Sequence, residues 1–430
     1  LNTRVKFFED IFKQIKINFS LIGMALDQPK IRISYFISLF SLLLVLIEEI
    51  AFFISKFSAE NFLDLTQLAP CICVGVLSFL KIIVIAMKKQ NILDLSRRLK
   101  KLYNNAMNDT KKREVIRQDF WFLKYLVQYF FILNWVLISV YNFSSLIFIA
   151  YNYFTKDVVL YFLPYAILVP FSTKIWYTWL IVYVHSIVSG FICVLYYTTV
   201  DALYYTLTSH TCSQFALLNE EIKSLDENTS HCLGDIVKNH QYILKLSQDL
   251  EEIFRAPNLF NVLVGSFEIC ALGFNLTMGH WAQVPGVILF LSSVLIQILM
   301  ISHFGENLIR ESRRIGDSAF SCKWYNMDKK SKKVILLLML RSSKPQKLTA
   351  YKFSVISYES FTKVLSYIFI LLFLFSCIKP CFMFTDNQYL MVLFYYFENG
   401  IYGITEVLTY LIIIIEDQLL QHSEMYSYIV

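Results

Sequence analysis

The sequence predicts an all-α membrane protein: seven transmembrane helices, a cytoplasmic N-terminus, and cytosolic helical extensions that form an anchor bundle. Three observations carry this. Hydrophobic residues make up 56% of the 430-residue chain, charged residues only 17%, and the mean hydropathy is +0.52. A soluble domain carries about 25% charge. Second, apolar runs of spanning length recur along the chain. Third, lysine and arginine alternate between the segments that join those runs.

The runs are Ile33–Ile54, Leu65–Met87, Phe122–Ala150, Ile175–Val200, Leu259–Met278, Val284–Phe304, and Tyr351 to about Phe373. Each reaches the roughly 20 residues that a helix needs to cross the hydrocarbon core. Residues 1–32, 88–120, 201–258 and 305–350 hold six, ten, four and eleven lysines and arginines. The alternate segments 55–64, 151–174 and 279–283 hold one, two and none. Positive residues stay on the cytoplasmic side, so the N-terminus is expected inside and the seventh span is expected to end outside. The net charge of +6 is then a topology signal and implies no nucleic-acid partner.

The division expected along the chain is as follows. Residues 1–32 form a cytoplasmic N-terminal segment, and 33–200 the first four spans. Residues 201–258 are cytosolic helices of the anchor, and 259–304 are spans five and six. Residues 305–350 return to the anchor, 351–373 are the membrane part of the seventh helix, and 374–430 are an atypical C-terminal tail. The chain begins at Leu1 without Met, which suggests a start further upstream or a processed one. No cleavable signal peptide is evident, and the first span is expected to serve as the insertion signal.

The segments assigned to the cytosol show helical periodicity. Ile236, His240, Ile243, Ser247, Leu250 and Phe254 share one face. Leu203, Leu207, Leu217, Leu218, Ile222 and Leu225 suggest another helix continuing from span four, with 226–230 as a polar break. A basic helix over Lys329–Arg341 ends at the break SSKP. Residues 151–173, apolar and aromatic with Pro164 and Pro170, are expected to fold over the outer ends of the bundle as a lid.

Nothing in the sequence points to catalysis. There is no hydrolase elbow, phosphate loop, dinucleotide fingerprint or kinase set, so no enzyme is expected. Nine cysteines and seven histidines show no metal-ligand spacing, so neither metal nor cofactor is expected. Charges within the spans are the default functional candidates. Glu268 lies near the middle of span five, either paired locally or functional. Glu48 and Glu49 are expected at the outer interface, and Lys81 is expected to snorkel. Glu359 and Lys363 form an i,i+4 pair. The five Asn-x-Ser/Thr sites (Asn18, Asn108, Asn142, Asn228, Asn275) fall in the cytoplasm or in the membrane region, so glycosylation is not expected.

Two clusters remain. Aromatic side chains crowd the outer halves of spans three and four: Tyr141, Phe143, Phe148, Tyr151, Trp176, Tyr177, Trp179 and Tyr183. Singly they read as interface-belt residues; together under an apolar lid they favour a hydrophobic ligand. On span seven, Ser354, Tyr358, Thr362 and Ser366 repeat at four. Such a stripe either packs against another helix or lines a conduit.

The stretch CKWYNMDKKSKKVILLLMLRSSKPQKLTA, followed by SYESFTKVLSY, resembles the insect odorant receptors, in the style of moth tuning receptors. HQYILKLSQDLEEIF before span five and LPYAILVPF before span four resemble them too, and the likeness covers roughly residues 1–367. It implies an odorant-gated, non-selective cation channel subunit in the plasma membrane of the olfactory sensory neuron dendrite. It also implies a heterotetramer with the odorant receptor co-receptor, and a small volatile odorant held in the outer half. The ligand-binding residues it suggests are Tyr141, Phe148, Trp176, Trp179 and Tyr183. The pore-lining residues are Ser354, Tyr358, Thr362 and Ser366. After Tyr367 the sequence leaves the family's pattern, so no gate residue carries over. A polytopic transporter and a G-protein-coupled chemoreceptor are the alternatives. The inside N-terminus and the lack of DRY and NPxxY oppose the latter, and the lack of internal repeats weighs against the former.

Overall fold

A computed structural model describes residues 7–26, 28, 30–57, 62–156, 159, 161–278, 284–366 and 368. The expected tail 374–430 and the end of the seventh span lie outside these residues. The described elements are α1 (Phe7–Ile22), α2 (Ile33–Ser55), α3 (Phe62–Met87), α4 (Lys89–Met107), α5 (Thr110–Lys156), α6 (Trp176–Lys223), α7 (Leu233–Met278), α8 (Val284–Ser321) and α9 (Lys329–Ser342). A two-stranded hairpin, β1 (Thr349–Ala350) and β2 (Ser354–Val355), leads into α10 (358–366). Among the described residues six helices are long and apolar enough to cross a membrane: α2, α3, α5, α6, α7 and α8.

α6 is the central pillar. Its 48 residues extend about 70 Å at 1.5 Å per residue, while the hydrocarbon core is about 30 Å thick. The inner part of α6 therefore stands in the anchor. From Tyr196 to Phe215 every residue is buried, polar ones included. A helix covered on all sides needs neighbours all round: α1, α2, α3, α4, α5, α7 and α8 each pack against it. α1 contributes the ridge Phe12, Ile15, Phe19 and Ile22, spaced for one helical face, and Asn18 Nδ2 donates to Thr199 Oγ1 at 3.2 Å. Outward-facing apolar side chains such as Phe36, Phe40, Ile47, Ile132, Ile147 and Ile181 cover the spans where lipid would lie.

The anchor follows the sequence periodicity. All six residues of the 236–254 face are buried, as are all six of the 203–225 set. The polar break holds: α6 stops at Lys223, Asp226 accepts from the Thr229 amide and hydroxyl, and α7 starts at Leu233. Those bonds hold the Asp226 carboxyl below the usual range. Pro257 sits inside α7, where the anchor half meets the membrane half, and withdraws one helical N–H. Asp328 caps α9, accepting from the amides of Lys330 and Ser331.

The seventh segment departs from the expected continuous helix from Tyr351. Tyr351 and Lys352 have φ of 51° and 64°, and the Phe353 amide donates to the Ala350 carbonyl at 2.9 Å. This is a tight reversal of the type I′ kind. Ser354 is consequently in a strand, and α10 starts four residues later. Glu251 fixes the hairpin by accepting from the Thr349 amide (2.7 Å) and hydroxyl. Gln346 is held by Ser312 and Ser247. Gly305 of α8 makes room for the exit strand: a Cβ there would sit 2.4 Å from the Ile356 carbonyl oxygen.

Acid should loosen the anchor. Burial, aided by the Arg341 guanidinium, lowers His240 to about 4, and burial lowers His210 well below its usual value. Both are neutral when folded and take up protons near pH 6.5 when unfolded. Stability is therefore complete above about pH 6.5 and declines as pH falls toward 4. His240 alone accounts for on the order of 3 kcal/mol over that window. Thermal unfolding of the purified full chain should show this decline, and His240→Leu should flatten part of it.

Candidate functional site

The described spans enclose a cavity of about 80 Å³ in the outer half of the bundle. α2, α3, α5, α6 and α8 supply its walls. Leu42, Val45, Leu46, Val74, Leu137 and Phe290 make it mostly apolar. Of the residues 151–173 expected as a lid, 151–156 instead continue α5, while the part from 161 onward lies against the spans and places Tyr165 in the cavity lining. The Leu168 amide donates to the Glu48 carbonyl of α2 at 3.1 Å, and Tyr165 reaches into the lining, its hydroxyl donating to Asn142 Oδ1 at 2.7 Å. Gly190 of α6 leaves the space for this bond, since a Cβ there would lie 2.5 Å from the Tyr165 hydroxyl.

Most polar groups of the lining are engaged within the protein. Asn134 accepts from Ser293 at 2.9 Å and donates to the Phe130 carbonyl at 2.9 Å. Ser189 bonds the Ser41 hydroxyl at 2.7 Å, and the Cys193 thiol meets Ser78 at 3.4 Å. Two groups are different. Among the described residues, neither the Glu49 carboxyl nor the Tyr141 hydroxyl has a side-chain hydrogen-bond partner, and both line the cavity.

Of the five aromatic residues proposed for the ligand, the structure brings Tyr141 into the lining, with its ring edge-on to Phe290 at 5.8 Å. Trp179 and Tyr183 are buried beside the lid instead. Trp179 Nε1 donates to the Phe162 carbonyl at 2.9 Å, its ring stacks on Tyr183 at 4.8 Å, and the Tyr183 hydroxyl donates to the Asn142 carbonyl. They clasp the lid. Phe148 and Trp176 are 61% and 62% exposed and face outward.

Periodicity alone would have placed Glu49. Leu42, Val45, Leu46 and Glu49 follow the i, i+3, i+4, i+7 rule for one helical face, and all four are buried. The expected interfacial location of Glu49 is thereby corrected. Glu48 points elsewhere, 3.7 Å from His185. Lys81 is also corrected, because it does not snorkel. It is 0% exposed and donates to both Asp201 oxygens, at 2.8 and 3.0 Å. The Tyr197 ring lies 4.9 Å from its ammonium. Gln297 donates to Asp201 at 2.5 Å and accepts from the Tyr197 hydroxyl, and its amide also reaches Asn261 of α7 at 3.5 Å. α3, α6, α7 and α8 thus meet in one polar cluster beneath the cavity, with Tyr197 belonging to both. Glu268 is fully buried, and its carboxylate oxygens have no hydrogen-bond partner among the described residues.

Asn261 also lines a recess between α7 and α8 that seats Val355, Ile356, Phe361 and Val364. α10 therefore has two sides. Phe361 and Val364, with Ile368 just beyond the 358–366 range of α10, pack on the bundle, while Tyr358, Thr362 and Ser366 are exposed at i, i+4 and i+8. Tyr358 meets His303 at 2.5 Å, and Lys363 pairs with Glu359 at 2.9 Å. Ser354 lies off this stripe, bonded to Ser360.

A family model described as 7tm Odorant receptor matches residues 61–369. Putative odorant receptor 85d of Drosophila melanogaster is 26% identical over 327 residues, 73% of this chain and 78% of the relative. Odorant receptor 85b of the same fly is 35% identical over 137 residues, 32% of this chain and 35% of the relative. The solved insect olfactory receptor OR5 from Machilis hrabei, in complex with eugenol, matches with a TM-score of 0.73 at 13% identity. That match covers 85% of this chain and 97% of the other, a likeness of fold.

The polar cluster makes a stability prediction. Lys81→Met leaves a buried Asp201 without its cation, which costs about 3–5 kcal/mol. Adding Asp201→Asn should recover much of that loss. Thermal unfolding of the two variants in detergent checks this; a single variant as stable as the parent would contradict it.

Proposed function

The chain belongs to the 7tm odorant receptor family, and we propose that it is the ligand-tuning subunit of an odorant-gated, non-selective cation channel. It binds rather than catalyses. It assembles with the odorant receptor co-receptor as a heterotetramer in the plasma membrane of the olfactory sensory neuron dendrite. A small volatile molecule occupies the lidded cavity; the Machilis hrabei receptor of like fold was solved in complex with eugenol.

The observation that carries this reading is the physical continuity from cavity to α10. Tyr197 forms part of the cavity lining and bonds Gln297. Gln297 reaches Asn261, and Asn261 lines the recess that seats the start of α10. A ligand shifts a conformational equilibrium only through its differential affinity for the two states. Here occupancy acts on Tyr197, and the cluster passes the bias to the seat of α10. Thr362 and Ser366 lie on the exposed side of α10, positioned to border a central conduit, while the Tyr358 hydroxyl on that side is tied to His303 of α8.

Co-expression with the co-receptor should give odorant-evoked cation current, and Gly190→Ala, which pushes on Tyr165, should raise the effective odorant concentration at least severalfold. Thr362→Cys should let a water-soluble, charged thiol reagent alter the current during odorant application. Odorant responses that survive when the assembly is made non-conducting would sink the channel reading. Full modification of Thr362→Cys with unchanged current would remove α10 from the pore.

A further inference from the structure

The cavity is unusual in holding a carboxyl. Glu49 is 4% exposed, faces a mostly apolar space, and has no hydrogen-bond or ion-pair partner among the described residues. Burying such a group without a partner is costly, and an uncompensated polar group aimed into a cavity is a natural anchor for a ligand. Among the described residues the other unengaged lining hydroxyl is that of Tyr141, on α5. Asn134, Ser189, Ser293 and Tyr165 are already bonded within the protein.

Resting on the receptor reading above, we propose that Glu49 is the residue that sets ligand class, and that the ligand is a small apolar molecule bearing one hydroxyl group. The hydroxyl donates to a Glu49 carboxyl oxygen and accepts from the Tyr141 hydroxyl. The choice of group follows from complementarity. An ether or hydrocarbon gives Glu49 no donor. A ketone offers only an acceptor. An alkylammonium ion can donate to both groups, since a phenol oxygen also accepts, but it must shed the hydration of a full charge to enter a mostly apolar space. A neutral hydroxyl both donates and accepts without that cost. The apolar remainder fits against Leu42, Val45, Leu137 and Phe290, and the small volume keeps the molecule short unless Tyr165 withdraws.

The size of the effect follows from the asymmetry of polar sites. A site built to bond a hydroxyl rejects the analogue without one strongly, because its own groups are left unpaired. A hydrophobic pocket rejects a hydroxyl only weakly.

The test uses isomeric pairs of alcohol and methyl ether with four to eight carbons, the central pair being 1-hexanol and methyl pentyl ether, with 2-hexanone and hexylamine alongside. Full-length chain co-expressed with the co-receptor is read by current, and the purified full chain is read by ligand-induced thermal shift. The parent should respond to alcohols at concentrations at least tenfold below those of their ether isomers. Glu49→Leu should reduce that ratio to within about twofold while keeping or improving the ether response, which also shows that it folds. Glu49→Gln, which keeps an acceptor oxygen, should retain most of the preference. Tyr141→Phe should weaken alcohols and spare ethers.

An alcohol preference that persists in Glu49→Leu overturns the proposal. So does a parent protein that ranks ketone or amine above alcohol, or that treats the pair equally in both readouts. An alcohol-selective thermal shift without any evoked current would instead leave the ligand assignment standing and count against the channel reading.

Discussion

The Lys81–Asp201 ion pair is the constraint on which the rest of the bundle depends. Two full charges lie where almost no water reaches, at 0% and 2% side-chain exposure. Taking them out of water costs several kcal/mol per ion. The structure offsets this with two ammonium–carboxylate bonds, an amide from Gln297, and the face of Tyr197. Such a cluster tolerates little displacement, because every partner lost leaves a buried group exposed to that cost. It therefore fixes the relative heights of α3, α6 and α8, and through Asn261 that of α7. The cavity sits directly on Tyr197, so its lower end inherits this rigidity.

The anchor depends on a different kind of economy. α6 carries a run of threonines, serines and a histidine through its core, at positions such as Thr206, Thr208, His210 and Thr211. Several satisfy themselves on the helix: the Thr206 and Thr211 hydroxyls donate back to the carbonyls four residues earlier. The pillar is thus buried without being wholly apolar. Around it, Glu251 and Gln346 hold the hairpin in place, and Gly305 allows the exit strand to lie against α8. The hairpin converts the tightly packed helical anchor into a fixed starting point for α10.

The site was legible only in part. Tyr141 follows from clustering of aromatics on the outer halves of the spans, but the same clustering collects Phe148 and Trp176, which face outward, and Trp179 and Tyr183, which clasp the lid. Aromatic composition reports proximity to the membrane interface as strongly as it reports a pocket. The polar residues that matter are less legible. Glu49 shares the face of Leu42, Val45 and Leu46, a signal present in the spacing but overridden by its nearness to the outer end of α2. Lys81 lies near the inner end of its span, a position that favours snorkelling, and its partner Asp201 is 120 residues away.

By itself the sequence determined the class, the number of expected spans, the side on which the positive residues gather, and which faces of the anchor helices are apolar. These are local quantities: run length, charge content and a period of 3.6. Only the tertiary structure decided which buried charges meet, that residues 349–355 turn as a hairpin before α10, and which polar groups of the cavity remain unengaged. Those depend on contacts between residues far apart in the chain, and no local pattern of apolar and polar residues encodes the azimuth and height at which two helices meet.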